Sequence, residues 1–142
     1  MAETFHFNIS MISRGKSKSA VASAAYISCE KIKNEWDGVT HDYHNKKGLL
    51  HSEIFLLENI PKEFQNRSFL WNSVELNEKA SNAQLARNFI IALPKELSFE
   101  ENKKLITDFI QENFVSKGMI ADQTLPYTMK VMKETTIFTL IS

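Results

Sequence analysis

The chain opens with a segment, from Thr4 to Ile12, in which apolar and polar residues alternate strictly. Because successive side chains of a β-strand point to opposite faces, this alternation predicts a strand that is buried on one face only. The predicted apolar face holds Phe5, Phe7, Ile9 and Met11, and the predicted polar face holds His6, Asn8 and Ser10.

A stretch of small residues, "SAVASAAYISCEK", follows a basic loop, "SRGKSKS". Ser17 or Ser19 can cap a helix here, and we expect that helix to run to about Lys33. Its alanines allow the helix to lie very close to a sheet, and its one large polar aromatic residue is Tyr26. The pattern therefore predicts a thin helix that carries a single tyrosine near its middle.

The rest of the chain alternates between strand and helix signals. We predict a loop or irregular hairpin over Asn34–Gly48, a strand over Leu49–Leu57, a helix over Ser68–Lys79 and a strand over Gln84–Pro94. A second helix is predicted from a capping box at Ser98 and Glu101 to Gly118. A further strand begins with "MIAD". This order of elements is typical of α+β or α/β proteins.

Composition narrows the range of functions. The chain has 142 residues, which fits one domain, and its 17 basic residues balance 17 acidic ones. A zero net charge argues against a role in which the whole chain binds nucleic acid as a polycation. It does not exclude local basic patches. The chain lacks an apolar run of the about eighteen residues that a membrane span needs, and Cys29 has no partner for a disulfide. We expect a cytoplasmic protein without a membrane segment.

Tyr26 has two interpretations. It is either a packed aromatic residue with a satisfied hydroxyl or a nucleophile, since tyrosine can form covalent intermediates. A free phenol has a pKa of about 10. A tyrosine nucleophile would therefore need a metal ion or a base beside its target to react at neutral pH.

A small basic cluster of Arg14, Lys16 and Lys18 precedes the predicted helix. A basic loop at a helix N-terminus can contact phosphate groups, and it can equally be a solvated loop. Cys29 lies three residues after Tyr26, and we interpret it as a small buried thiol.

The histidines do not form a recognisable ligand set. His41 and His44 are three residues apart in a turn-rich segment, where extended backbone would point them in opposite directions. A metal site that includes His51 is one interpretation, and surface or hydrogen-bonded histidines are the other. His6, on the polar face of the first strand, has the same two interpretations.

Three segments together resemble a known family: "HFNISMISRGKSKSAVASAAYISCEKI", "THDYHNKKGLLHSEIFLLENIP" and "LWNSVELNEKASNAQLARNFIIALPKELS". They are similar to the N-terminal part of MobA/MobL relaxases, plasmid mobilisation proteins that nick one DNA strand at the transfer origin. The resemblance extends from Phe5 to Asp122.

The resemblance implies an α+β fold with an antiparallel sheet flanked by helices. It also implies that a tyrosine on an early helix, here Tyr26, attacks the scissile phosphate and stays attached to the 5′ end. In the family, three histidines on two neighbouring strands hold a divalent metal such as Mg²⁺ or Mn²⁺. The implied partners are single-stranded DNA at a transfer origin and other mobilisation proteins, with Arg14, Lys16 and Lys18 as DNA-binding candidates.

The histidine strands of the family pattern should follow "GMIAD", but this chain contains no histidine after His51. Back-translation of "IFTLIS" allows a shifted frame that reads "IHAHI", and the shifted frame from Leu125 reads "TIHDEGDERNHNIHAHI". We therefore predict a frameshift near Gln123 to Leu125, with residues 1–122 as the N-terminal part of a relaxase-like domain and residues 123–142 as an out-of-frame tail.

The predicted truncation has structural and functional consequences. The sheet is expected to be incomplete because the metal-binding strands are missing, with open edges, unless the β-prone tail pairs as a replacement strand. The resemblance then implies a chain that does not nick DNA, and that lacks metal ligands of its own. The alternative function is a non-catalytic module that binds single-stranded DNA or another partner.

Overall fold

The computed structural model describes residues 7–16, 18–126 and 134–140. The strands are β1 (Phe7–Ser13), β2 (Lys31–Lys33), β3 (Thr40–Asp42), β4 (Leu49–Phe55), β5 (Gln84–Ala92), β6 (Ala121–Pro126) and β7 (Glu134–Leu140). The α-helices are α1 (Ala20–Ser28), α2 (Arg67–Asn77) and α3 (Phe99–Asn113), and short 3₁₀ turns span Arg14–Lys16, Lys62–Gln65 and Val115–Lys117.

The main sheet has five strands in the order β1-β5-β7-β6-β4, and every neighbouring pair in it is antiparallel. A separate antiparallel hairpin is formed by β2 and β3. The fold is therefore α+β, with an antiparallel sheet flanked by helices, as the resemblance implied.

Helices cover both faces of the sheet. On one face, α1 and α2 bury Val21, Leu70 and Trp71 in a cluster that includes Phe138 of β7. On the other face, α3 buries its apolar stripe against a second cluster that includes Ile137 of β7. Because neighbouring residues of β7 enter opposite clusters, this strand connects the two halves of the core.

The central strand β7 comes from the predicted tail. Its residues pair with β5 on one side and with β6 on the other, so that Ile137 lies opposite both Phe89 and Gln123. The segment predicted as a tail thus pairs as a strand, and the sheet has no gap between β5 and β6. Strand β6 also crosses the predicted boundary at Asp122. The frameshift itself concerns the nucleotide sequence and stays a prediction.

Helix α1 is shorter than expected, so the prediction that it runs to about Lys33 is wrong. Cys29 has a left-handed backbone with φ of 58°, and its N–H donates to the carbonyl of Ala25. The N–H of Glu30 donates to the same carbonyl at 3.0 Å. Together these bonds end the helix at Ser28 and turn the chain into the β2–β3 hairpin, one of the two structures predicted for the polar segment. At α3 the predicted capping box of Ser98 and Glu101 is confirmed.

Candidate nucleic-acid interface

Helix α1 lies directly on the sheet because its inner face is made of small residues. Ala20, Ala24 and Ala25 are almost completely buried. Of the two predicted caps, Ser19 is the N-cap, and its Oγ accepts a hydrogen bond from the N–H of Ala22 at 3.1 Å. This close contact fixes the direction in which the single tyrosine of the helix projects.

Tyr26 projects from α1 towards solvent rather than into the core. The residue is 51% exposed. The ring of Tyr43 meets it edge to face, with 5.2 Å between ring centroids. The Nζ atom of Lys46 lies 4.4 Å from the centroid of the Tyr26 ring. The tyrosine is therefore held in place by side-chain contacts while much of its surface stays accessible.

A cleft of about 470 Å³ lies beside Tyr26, between α1 and the sheet. Its floor is formed by side chains from β1, β5 and β7, the three strands at one edge of the sheet. Its wall is formed by α1 and the two residues before it, Lys18 and Ser19. The lining residues include Ser10, Lys18, Ser23, Tyr26, Asn88 and Phe138.

The cleft floor does not fit a divalent metal. Ile90 and Phe138 are apolar, and Ser10, Asn88 and Thr136 offer only neutral oxygens. The Oδ1 atom of Asn88 is a buried acceptor without a partner within the described chain. One such amide oxygen does not replace the carboxylate and imidazole ligands that divalent metals take. Across residues 7–16, 18–126 and 134–140, no three His, Cys, Asp or Glu side chains lie close enough together to hold a metal ion.

The histidines are held in separate local contacts. Nδ1 of His44 bonds to the carboxylate of Asp42, and Nε2 of His51 lies 3.1 Å from Oε1 of Glu53. Hydrogen bonds from the His44 side chain and backbone lower the pKa of Asp42 below its ordinary value of 3.8. Nε2 of His41 is buried without a partner in the described part of the chain. His6 lies outside the described residues.

The three predicted DNA-binding residues have different surroundings. Arg14 is held against α2, where its Nη2 donates to Oε1 of Glu75 at 3.0 Å and to the carbonyl of Glu75 at 2.7 Å. Its guanidinium carbon also lies 3.7 Å from the centroid of a Trp36 ring. Lys18 is exposed and lines the cleft. Lys16 belongs to the 3₁₀ turn after β1, and its side chain lies outside the described part.

Two residues beside Tyr26 had no signal in the sequence. Tyr43 and Lys46 belong to the polar segment after β3, and they reach Tyr26 only because the hairpin folds back on the end of α1. Cys29 also differs from expectation, since it is partly exposed rather than buried. Its left-handed backbone at the end of α1 places it at the surface.

Comparison with known proteins supports the resemblance. The MobA/MobL family matches residues 18–133. The chain belongs to the MobA/MobL family. The MobA/MobL prediction is therefore confirmed for most of the chain.

Individual relatives are conjugal transfer and mobilisation proteins. The conjugal transfer protein TraA of Rhizobium radiobacter is 45% identical over 127 residues, which cover 82% of this chain and 12% of TraA. The mobilization protein MobL of Acidithiobacillus ferridurans is 36% identical over 121 residues, which cover 85% of this chain and 31% of MobL. This chain therefore spans less than a third of the length of these MobA/MobL relatives.

A solved structure reported as the molecular basis of vancomycin resistance transfer in Staphylococcus aureus has the same fold. It superposes with a TM-score of 0.89 and 30% sequence identity, covering 97% of this chain and 70% of that one. Within the described residues of the present MobA/MobL chain, no helix is long and apolar enough to cross a membrane.

Proposed function

We propose that this chain is the tyrosine-bearing part of a relaxase-type domain from a conjugal transfer or mobilisation protein, and that its α1 cleft binds single-stranded DNA. The observation that carries the proposal is the half-exposed Tyr26, which lines a cleft next to Lys18. A lysine beside an open cleft suits a DNA phosphate. The proposal places the protein in the cytoplasm, with a transfer origin and other mobilisation proteins as its partners.

The reaction of the parent domain is a transesterification. In a complete relaxase domain, the phenol oxygen of the tyrosine that Tyr26 matches would attack the scissile phosphorus, the bond from phosphorus to the 3′-oxygen would break, and the phenol proton would end on the released 3′-hydroxyl. The product is a phosphotyrosine at the 5′ end of the cut strand. A divalent metal, Mg²⁺ or Mn²⁺ in the family, would polarise the phosphate.

The residues of this chain support binding better than chemistry. The cleft floor presents Phe138 and neutral oxygens where negative charge would develop on the phosphate. The floor offers no ligand set for a divalent metal, and without that metal the attack by a phenol lacks its main electrostatic support. We therefore propose that the chain alone does not nick DNA.

A non-catalytic role in binding single-stranded DNA is the second candidate, and the same observations favour it. Lys18 and the exposed ring of Tyr26 supply a charge and an aromatic face, the two components of sequence-tolerant single-strand binding. The two candidates differ only in whether the chain is a fragment of a nicking relaxase. Both predict that the chain binds single-stranded DNA without cleaving it.

The test is a fluorescence anisotropy titration with a labelled single strand of about 20 nucleotides, at salt concentrations from about 50 to 200 mM. We expect salt-dependent binding that weakens in Lys18→Gln. Lys104→Gln is the matched control, because Lys104 lies exposed on α3 at the opposite face of the sheet. Absence of binding at low salt would overturn the proposed function. Equal affinities for the two variants would remove the cleft as the DNA site.

A further inference from the structure

Lys46 lies beside the candidate nucleophile. Its Nζ atom lies 4.4 Å from the centroid of the Tyr26 ring and 3.9 Å from Sγ of Cys29. An ammonium within about 6 Å of an aromatic face is attracted by the ring. Lys46 therefore has a defined position beside Tyr26, although it comes from a separate segment of the chain.

The segment that carries Lys46 is anchored to the end of α1. The N–H of Lys46 donates to the carbonyl of Tyr43 at 2.9 Å, and the N–H of Tyr43 donates to the carbonyl of Glu30 at 3.0 Å. The ring of Tyr43 also packs edge to face against Tyr26. These contacts fix the backbone from which the Lys46 side chain extends towards the Tyr26 ring.

The positive charge of Lys46 is not neutralised within the described chain. The ion pairs there use Arg14, Arg67, Lys104 and two histidines, and none of them includes Lys46. An ammonium has three donors, and an aromatic face and a thiol sulfur are weak acceptors for them. Lys46 thus presents a fixed cation with free hydrogen-bonding capacity next to an exposed phenol.

We propose that Lys46 is a phosphate-binding residue that holds a DNA phosphate next to the phenol oxygen of Tyr26. Lys18 lines the cleft beside Tyr26, and Lys46, which is not among the cleft-lining residues, approaches the ring from the hairpin. Two cations therefore lie near the tyrosine, one lining the cleft and one over the ring, and a strand bound along the cleft can contact both. The inference rests on the proposed function, because it assumes that DNA is the ligand.

The salt dependence of single-strand binding tests this role directly. Each neutralised phosphate contributes about 0.7 to the slope of log K against log salt for single strands. We expect Lys46→Gln to reduce the slope by about 0.7 and the affinity by about fivefold near 0.1 M salt. Lys46→Arg should keep the slope, and Lys104→Gln on the opposite face should leave slope and affinity unchanged.

A second comparison separates a role at the tyrosine from a general effect of charge. Tyr26→Ala removes the ring that holds Lys46, so the loss caused by Lys46→Gln should be smaller in that background. Thermal unfolding of each variant checks that the fold persists. Lys46→Arg shows whether a variant with the same charge keeps the affinity and the salt dependence.

The outcomes are distinct. If the wild-type chain does not bind single strands at low salt, the proposed function fails and this inference fails with it. If the wild-type chain binds and Lys46→Gln behaves like Lys104→Gln, only the role of Lys46 is overturned. An equal loss in the presence and absence of the Tyr26 ring would also overturn it, since the charge would then act away from the tyrosine.

Discussion

Arg67 on α2 donates two hydrogen bonds to the carboxylate of Asp122 on β6, from Nε at 2.8 Å and from Nη2 at 2.7 Å. Trp71 donates to the same carboxylate at 2.8 Å, and Glu30 accepts from Nη1 of Arg67 at 2.6 Å. Burial lowers the pKa of Arg67, but the hydrogen bonds and charges of Asp122 and Glu30 outweigh burial and raise it above its ordinary value. The guanidinium therefore stays charged and depends on its carboxylates.

We predict that Asp122→Asn strongly destabilises the fold. The substitution leaves the buried Arg67 charge without its main partner, and breaking a buried pair in this way costs about 3–5 kcal/mol. Urea denaturation measures the loss. Asp108→Asn is the control, because its exposed pair with Lys104 contributes less than about 0.5 kcal/mol. Similar losses for the two variants would contradict the structural role of the Arg67 pair.

Glu75 on α2 contacts the basic loop. We expect Glu75→Gln to lower the free energy of unfolding by about 2–3 kcal/mol. Its carboxylate accepts from Arg14 and from Oγ of Ser19 at 2.7 Å, and it is almost completely buried. The neutral amide leaves the Arg14 guanidinium without an anion. Chemical denaturation of Glu75→Gln beside the exposed variant Glu78→Gln measures the difference. A loss no larger than that of Glu78→Gln would show that the Arg14–Glu75 contact does not stabilise the fold.

The Asp42–His44 contact predicts a specific titration. Because the pKa of Asp42 is lowered in the folded chain, its contribution to stability is present above pH 3.8, the ordinary value, and is lost as pH falls through the lower folded pKa. In His44→Ala the pKa of Asp42 should rise part of the way back, because the backbone N–H of residue 44 still donates. Carboxyl carbon NMR titration measures the change. A shift of equal size in His51→Ala would contradict the assignment to His44.

The frameshift prediction is tested by sequencing the encoding locus through and beyond the codon for Ser142. We expect a second frame that encodes the histidine pattern and continues open. In that frame the final histidine pair falls in the segment that here forms the end of β7. Absence of such a frame would mean that β7 is a native strand, and that a metal-free binding role for α1 is the better account.

Local patterns predicted most of the elements, because strand alternation, the capping box and the small-residue helix are each encoded over a few neighbouring residues. Alternation located β1 but predicted its buried face wrongly, since Phe7 and Ile9 are exposed. The end of α1 was predicted wrongly since it depends on the left-handed backbone of Cys29, which no pattern signals. The central position of β7 could not be predicted either, because its pairing with Phe89 of β5 and Gln123 of β6 depends on contacts between distant parts of the chain.

The candidate site was predictable only in part. Tyr26 stood out as the one large polar aromatic residue of a thin helix, and Lys18 as part of a basic loop. Arg14 has the same charge, but its contact with Glu75 arises from a helix about sixty residues away. The place of Lys46 beside Tyr26 depends on how the hairpin folds back, and a polar turn sequence does not specify that.

The central claim is that the chain places a relaxase tyrosine over a cleft that cannot support its chemistry. The most direct measurement is the formation of a covalent protein–DNA adduct on a denaturing gel, with single-stranded transfer-origin oligonucleotides and Mg²⁺ or Mn²⁺. Tyr26→Phe, which removes only an exposed hydroxyl, is the matched control. We predict no adduct for either protein. A metal-dependent adduct that forms with the wild-type chain and disappears in Tyr26→Phe would contradict the account.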